Sequence, residues 1–250
     1  MKEKISKKIL ISVLILLIYI LLWYIAAIIV NKELLIPKPS TVLNTFLDFA
    51  RQKEFYINVL YSIGRIYAGF ILAIITGALL AFLTSFVPAS KRMVAPAISI
   101  IKATPVASFI ILTLLWIKTT YVPVFISFLM VLPVVWTNIS QGFETADKKL
   151  LEMAFIYKMD FIKKIRYIYI PNCVSYFKSS VISGIGLAWK SGIAAEVICS
   201  PKFAIGSRLY SAKIYLETAE LFAWTGTVVI LSIIIERITV KILENVFKED

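Results

Sequence analysis

Four ionisable side chains lie inside long apolar runs of this 250-residue chain: Arg65, Lys102, Lys190 and Glu196. A charge at the centre of a membrane-spanning helix costs about 2.5–3.5 kcal/mol, so such residues face protein or water rather than lipid. Three cations against one anion form a net-positive set, which suits an anionic solute. Arg65 and Glu196 fall towards the outer halves of their runs, where a structural ion pair or snorkelling explains them equally well. Lys102, closely followed by Pro105, and Lys190 lie nearer mid-run and are the better candidates to line a path. Other chemistry is scarce. There is no histidine, which removes the commonest metal ligand and the usual proton shuttle. Two cysteines, Cys173 and Cys199, make neither a Cys-rich metal site nor a disulfide framework. The chain lacks a Gly-x-x-x-x-Gly-Lys-Ser/Thr phosphate loop, so it is not expected to hydrolyse ATP. No catalytic residue, metal site or cofactor is expected.

The elements that must position these charges follow from composition. The chain is 60% hydrophobic and 17% charged, with a mean hydropathy of +0.86. Soluble domains are about half apolar and about a quarter charged. The net charge of +12 therefore reads as a positive-inside membrane protein rather than a nucleic-acid binder. A span needs about 20 apolar residues. Six segments meet this, near 9–30, 59–84, 93–116, 120–141, 174–198 and 221–241, which makes the chain one all-α polytopic membrane domain over 1–250. The first run is too long for a signal-peptide core of about 7–15 residues, so it is expected to be retained. With the N-terminus inside, sixteen Lys and Arg fall in inner segments and eight in outer ones, leaving Arg65, Lys102 and Lys190 at depth. Both termini are then cytoplasmic, and Cys173 and Cys199 lie at opposite faces.

Two segments outside the spans carry patterns of their own. Over 37–50, Pro37-Lys38-Pro39-Ser40 forms a stiff external turn with Ser40 placed to cap a helix, and Val42, Leu43, Phe46, Leu47 and Phe49 follow at helical spacing. This amphipathic helix either lies on the outer surface or plugs the bundle mouth. Over 144–171, Lys148, Lys149, Lys163, Lys164 and Arg166 alternate with apolar residues, as in two short helices at the inner surface or a merely basic loop. Small residues recur every four positions in the fifth span: Ser180, Gly184, Ala188 and Gly192. Such a ridge allows close helix approach, at a subunit interface or within the bundle. Gly64, Gly69, Gly77 and Pro105 are hinges or packing and kink positions on the same reasoning.

Within the inner loop, Glu152-Met153-Ala154, three residues, Lys158, nine residues, Ile168, Tyr169, Ile170-Pro171 resembles the signature of permease subunits of ATP-binding-cassette importers. That signature reads Glu-Ala-Ala, three residues, Gly, nine residues, Ile, one residue, Leu-Pro. Met153, Lys158 and Ile170 depart from it. The first and last keep apolar bulk, whereas Lys158 replaces a Gly suited to a positive-φ turn, so a reshaped turn is expected. Pro37-Lys38-Pro39-Ser40, Ser62-Ile63-Gly64-Arg65 with Gly69-Phe70, Lys102-Ala103-Thr104-Pro105, Gly186-Leu187-Ala188-Trp189 and Ala194-Ala195-Glu196 are similar to segments of nitrate/sulfonate/taurine-type permeases, covering about residues 37–210.

The resemblance implies a type I importer permease fold that opens alternately to each side. Its coupling loop, Glu152 to Pro171, would seat in a groove of a separate ATPase subunit, with Glu152 favouring a helix N-terminus or pairing with a basic residue there. Pro171 would stop the second short helix and start the fifth span. An extracytoplasmic binding protein would deliver the solute, and two copies would assemble in the bacterial inner membrane as a homodimer or with a related permease. Nucleic acid is not an expected partner. An ion-coupled secondary transporter and a membrane scaffold remain as alternatives, and so does the same importer class carrying a thiamine-precursor-like vitamin. The single acidic residue at depth and the lack of histidine argue against a proton relay.

Overall fold

Long uncharged runs become long helices because backbone polar groups inside hydrocarbon must be satisfied within the segment. The computed structural model describes residues 2–247, with side chains from 17 onwards and at 11, 14 and 15. In order, the helices are α1 (Lys2–Val30), α2 (Pro39–Ala50), α3 (Lys53–Phe86), α4 (Pro88–Ala103), α5 (Val106–Thr113), α6 (Val122–Glu144), α7 (Lys148–Ile156), α8 (Phe161–Lys164), α9 (Ile170–Cys199), α10 (Ile205–Ile214) and α11 (Thr218–Val246). Among the described residues there is no strand. Among the described residues four segments are long and apolar enough to cross a membrane: α3, α6, the continuous stretch from α8 through α9, and α11. The early part of the expected first span lies outside the described side chains, and α1 carries an apolar Leu17–Val30.

The expected span over 93–116 is broken rather than continuous. It forms two helices, α4 and α5, bent by 103°. Pro105 disfavours helical backbone at the residue before it, and Thr104 is extended at φ −85°, ψ 132°. The helical cap at the external turn also differs. Lys38 is the N-cap of α2 and Pro39 its first residue, so Ser40 lies inside the helix and makes no cap bond. Phe49 on α2 and Phe55 on α3 both stack on Trp224 of α11 at 5.2 Å, which holds α2 against the bundle.

The core is α6 flanked by α3 and α9. Its helices touch closely because glycines leave room. A Cβ on Gly69 would lie 2.2 Å from the Val124 carbonyl oxygen, and one on Gly192 would lie 2.5 Å from Ile66. Gly184, Ala188 and Gly192 thus pack within the chain, against Phe70, Ile66, Val131 and Ser127. The indole N–H of Trp189 donates to the Val228 carbonyl at 3.1 Å, tying α9 to α11. Cys173 and Cys199 are buried near opposite ends of α9.

Candidate functional site

The inner loop is built around one compact turn. Asp147 caps α7, its carboxylate accepting from the Lys149 N–H at 2.8 Å. Glu152 is therefore not at the helix N-terminus; it is exposed in mid-helix, free for a partner and remote from the dipole end. After α7 the chain turns at Lys158, with φ 51°. The Lys158 N–H donates to the Phe155 carbonyl and the Met159 N–H to the Ala154 carbonyl, at 3.0 and 2.8 Å. Those two bonds are the pattern of a Schellman cap, whose positive-φ position Lys158 occupies. The expectation of a reshaped turn is corrected: lysine adopts the glycine-like geometry.

The signature positions divide by burial. Ala154 and Ile168 are buried together with Ala146, and Leu151, Met159 and Tyr169 close this small core. Glu152, Met153, Lys158, Ile170 and Pro171 are exposed. Beside them Phe155, Ile156 and Tyr157 are 74–78% exposed and Ile162 is 72% exposed, an apolar platform on the surface of the loop. Pro171 does not stop a helix as expected. The chain passes from α8 through a π-helical turn, Ile165–Tyr169, straight into α9. A wide turn absorbs the missing proline N–H without breaking the rod.

Sequence reading missed how this loop is fastened. Phe86 at the end of α3 contacts the rings of Phe161, Tyr169 and Phe143 at 5.2, 5.3 and 5.5 Å. Asn172 donates to the Gly142 carbonyl at 2.6 Å and to Thr145 Oγ1 at 3.2 Å. Thr145 Oγ1 in turn donates to the Tyr176 hydroxyl at 3.0 Å. The last turns of α3 and α6 and the first turns of α9 are thereby joined to the loop. Runs of phenylalanine and tyrosine near the span ends were the signal, but their partners lie on separate helices.

Towards the other end of α3 from the loop, Arg65 and Glu196 come together in a clasp. Glu196 is fully buried, accepting from Ser62 Oγ at 2.7 Å and from the Gly206 N–H at 3.2 Å, with Arg65 Nη1 3.5 Å away. Arg65 also donates to the carbonyls of Phe203 and Lys202 at 3.0 and 2.8 Å. Ser62 Oγ accepts from the Ile205 N–H at 2.9 Å. This holds residues 200–206, where Ser200 and Phe203 take positive φ, onto α3. Of the two readings of Glu196, the geometry here is that of a structural ion pair, its carboxylate having no exposed surface. Arg65 is committed to the same clasp.

Lys102 and Lys190 behave differently. Both are exposed and neither forms an ion pair among the described residues. Lys102 Nζ donates to Thr137 Oγ1 on α6 at 2.8 Å. Pro105 is exposed beside it at the break between α4 and α5. The arrangement offers an exposed apolar platform tied to three helices, and two cations without an ion-pair partner among the described residues.

Comparisons with known proteins agree with this geometry. Over 189 residues, 75% of this chain and 68% of the relative, it is 23% identical to a Bacillus subtilis (strain 168) protein named as an aliphatic sulfonates transport permease, SsuC. Over 217 residues, 86% of this chain, it is 21% identical to proteins named as ABC transporter permeases in Brucella melitensis biotype 1 and Brucella abortus, covering 87% and 86% of their lengths. Residues 69–247 match the family described as binding-protein-dependent transport system inner membrane component, and the chain belongs to that family, as a multi-pass permease component of an ABC transporter.

Proposed function

We propose that the chain forms the translocation path of an ATP-driven importer for a small anionic solute of the sulfonate class, and that the loop over 144–171 transmits the work of a separate ATPase. The exposed platform of Phe155, Ile156 and Tyr157 carries this reading. An apolar surface of that kind, set among Lys148, Lys149 and Lys158, is what a partner groove covers, and the Phe86–Tyr169 and Asn172–Thr145 contacts pass a push on α7 into the bundle. The Glu152 carboxylate, unpaired beside the platform among the described residues, is suited to a basic group on the ATPase. Lys102 and Lys190 line the path, while Arg65 and Glu196 hold its outer end.

The membrane domain spans the whole chain, with the loop and both termini on the cytoplasmic side, as the sixteen-to-eight distribution of Lys and Arg supports. Two copies assemble as a homodimer, since about six helices are few for an alternating path, and the chain itself performs no catalysis. An extracytoplasmic binding protein delivers the solute. The named relative for aliphatic sulfonates and the net-positive membrane depth support an anion over a neutral vitamin precursor. The test is ATP hydrolysis by the complex co-purified with the ATPase and binding protein encoded beside this chain. Stimulation by loaded binding protein, lost in Glu152→Arg and Phe155→Asp variants that still insert, is expected. Uptake that follows an ion gradient, with no co-purifying ATPase, refutes the reading.

A further inference from the structure

We propose that Lys190 and Lys102 are two successive anion stations at different depths, and that Thr137 positions the inner one. The proposal rests on the importer reading above and assigns the stations within its path. Relative depth follows from contacts between α6 and α9. Ser127 Oγ donates to the Ala188 carbonyl at 3.2 Å, and a Cβ on Gly192 would lie 2.7 Å from Ser127 Oγ. Lys190 lies between these two residues in sequence, so it stands at the level of Ser127. Thr137 is ten residues further along α6, about 15 Å inward at 1.5 Å per residue. Towards that inner end, a Cβ on Gly142 would lie 3.0 Å from Cys173 Sγ, near the start of α9. Lys102, bonded to Thr137, therefore sits roughly three helical turns below Lys190.

Each lysine is exposed at a depth where lipid contact is unfavourable, which points to a water-filled or partner-lined space over both. A lysine ammonium has three donors, and Lys102 gives one to Thr137. The remaining two are held in place for the oxygens of a sulfonate or similar oxyanion. Lys190 lacks such a tether among the described residues, so it receives the anion and the tethered Lys102 orients it. Two cations separated by this distance give an anion a stepwise route without trapping it at one deep site.

The test uses the reconstituted complex with single reporter cysteines at two exposed positions, Gln141→Cys one turn from Thr137 and Ala194→Cys one turn from Lys190. Cys173 and Cys199 are buried, and the unsubstituted complex serves as the blank. The probes are two impermeant thiol reagents, 2-sulfonatoethyl methanethiosulfonate and its trimethylammonium counterpart. Adding Lys102→Gln should slow the anionic reagent about tenfold at residue 141, as expected when a focusing charge is lost, and should not slow the cationic one. Thr137→Val should slow the anionic reagent about three- to tenfold, and Thr137→Ser should restore it. At residue 194 the anionic rate should respond to Lys190→Gln and not to Lys102→Gln. Reporters that react with neither reagent, rates indifferent to both lysines, or a Thr137→Ser variant as slow as Thr137→Val each overturn the proposal. The full reagent pattern in a chain without binding-protein-stimulated ATP hydrolysis supports the stations and refutes the importer reading.

Discussion

Replacing Arg65 by Leu leaves a buried carboxylate without its cation. Glu196 has no exposed surface and Arg65 is about 10% exposed, so water screens the pair little. Breaking a buried pair by removing one partner destabilises by about 3–5 kcal/mol. The loss is aggravated here because the guanidinium also holds the carbonyls of Lys202 and Phe203. Glu196→Gln alone should be milder, about 1 kcal/mol, because the amide oxygen can still accept from Ser62 and Gly206. The double variant removes the stranded charge, so it should be more stable than Arg65→Leu by about 2 kcal/mol; less the single Glu196→Gln loss, that is a coupling of about 3 kcal/mol, at the upper end for contacting residues. Unfolding in mixed micelles, followed by tryptophan fluorescence, measures all four corners of the cycle. Equal losses in Arg65→Leu and the double variant would refute the reasoning, since they would show that the carboxylate is not held as an anion against Arg65.

Gly69→Val places a side chain where a Cβ alone would be 2.2 Å from the Val124 carbonyl, so α3 must separate from α6. A loss of about 3 kcal/mol or more, read in the same micelle titration, is expected. Lys158→Gly should stabilise the α7 turn by about 0.5–1 kcal/mol after allowing for the extra chain entropy of glycine, whereas Lys158→Val should weaken it by at least as much; amide exchange of Met159 reports both. Trp189→Phe removes the bond to the Val228 carbonyl and should cost about 1 kcal/mol of unfolding free energy. Asn172→Leu breaks the link from the loop to the end of α6 and should uncouple binding-protein stimulation from ATP hydrolysis, leaving resting hydrolysis within about twofold. Unchanged stimulation would show that the push travels by another contact.

What could be read from residues alone divides along physical lines. The long helices α3, α6, α9 and α11 were legible because hydrocarbon thickness demands runs of about 20 apolar residues, and those runs stand out locally. The break at Thr104-Pro105 was not, because average hydropathy continues across it while backbone geometry does not. The pairing of Arg65 with Glu196 was legible as an alternative from their matching outer positions. Ser62 was not, since nothing local marks a hydrogen bond that joins residues 134 positions apart, and the Gly206 N–H reaches the same carboxylate only because the chain folds back after α9. Thr137 was invisible for the same reason. Lys158 shows the remaining kind of error, a correct local rule outweighed by its surroundings. Left-handed backbone costs a non-glycine residue about 1–2 kcal/mol. Two cap bonds, each worth about 0.5–1.5 kcal/mol, and burial of Ala154 against Ile168 offset it. The turn is therefore imposed by what lies on either side of it, and the lysine at its tip keeps its charge in water beside the apolar platform.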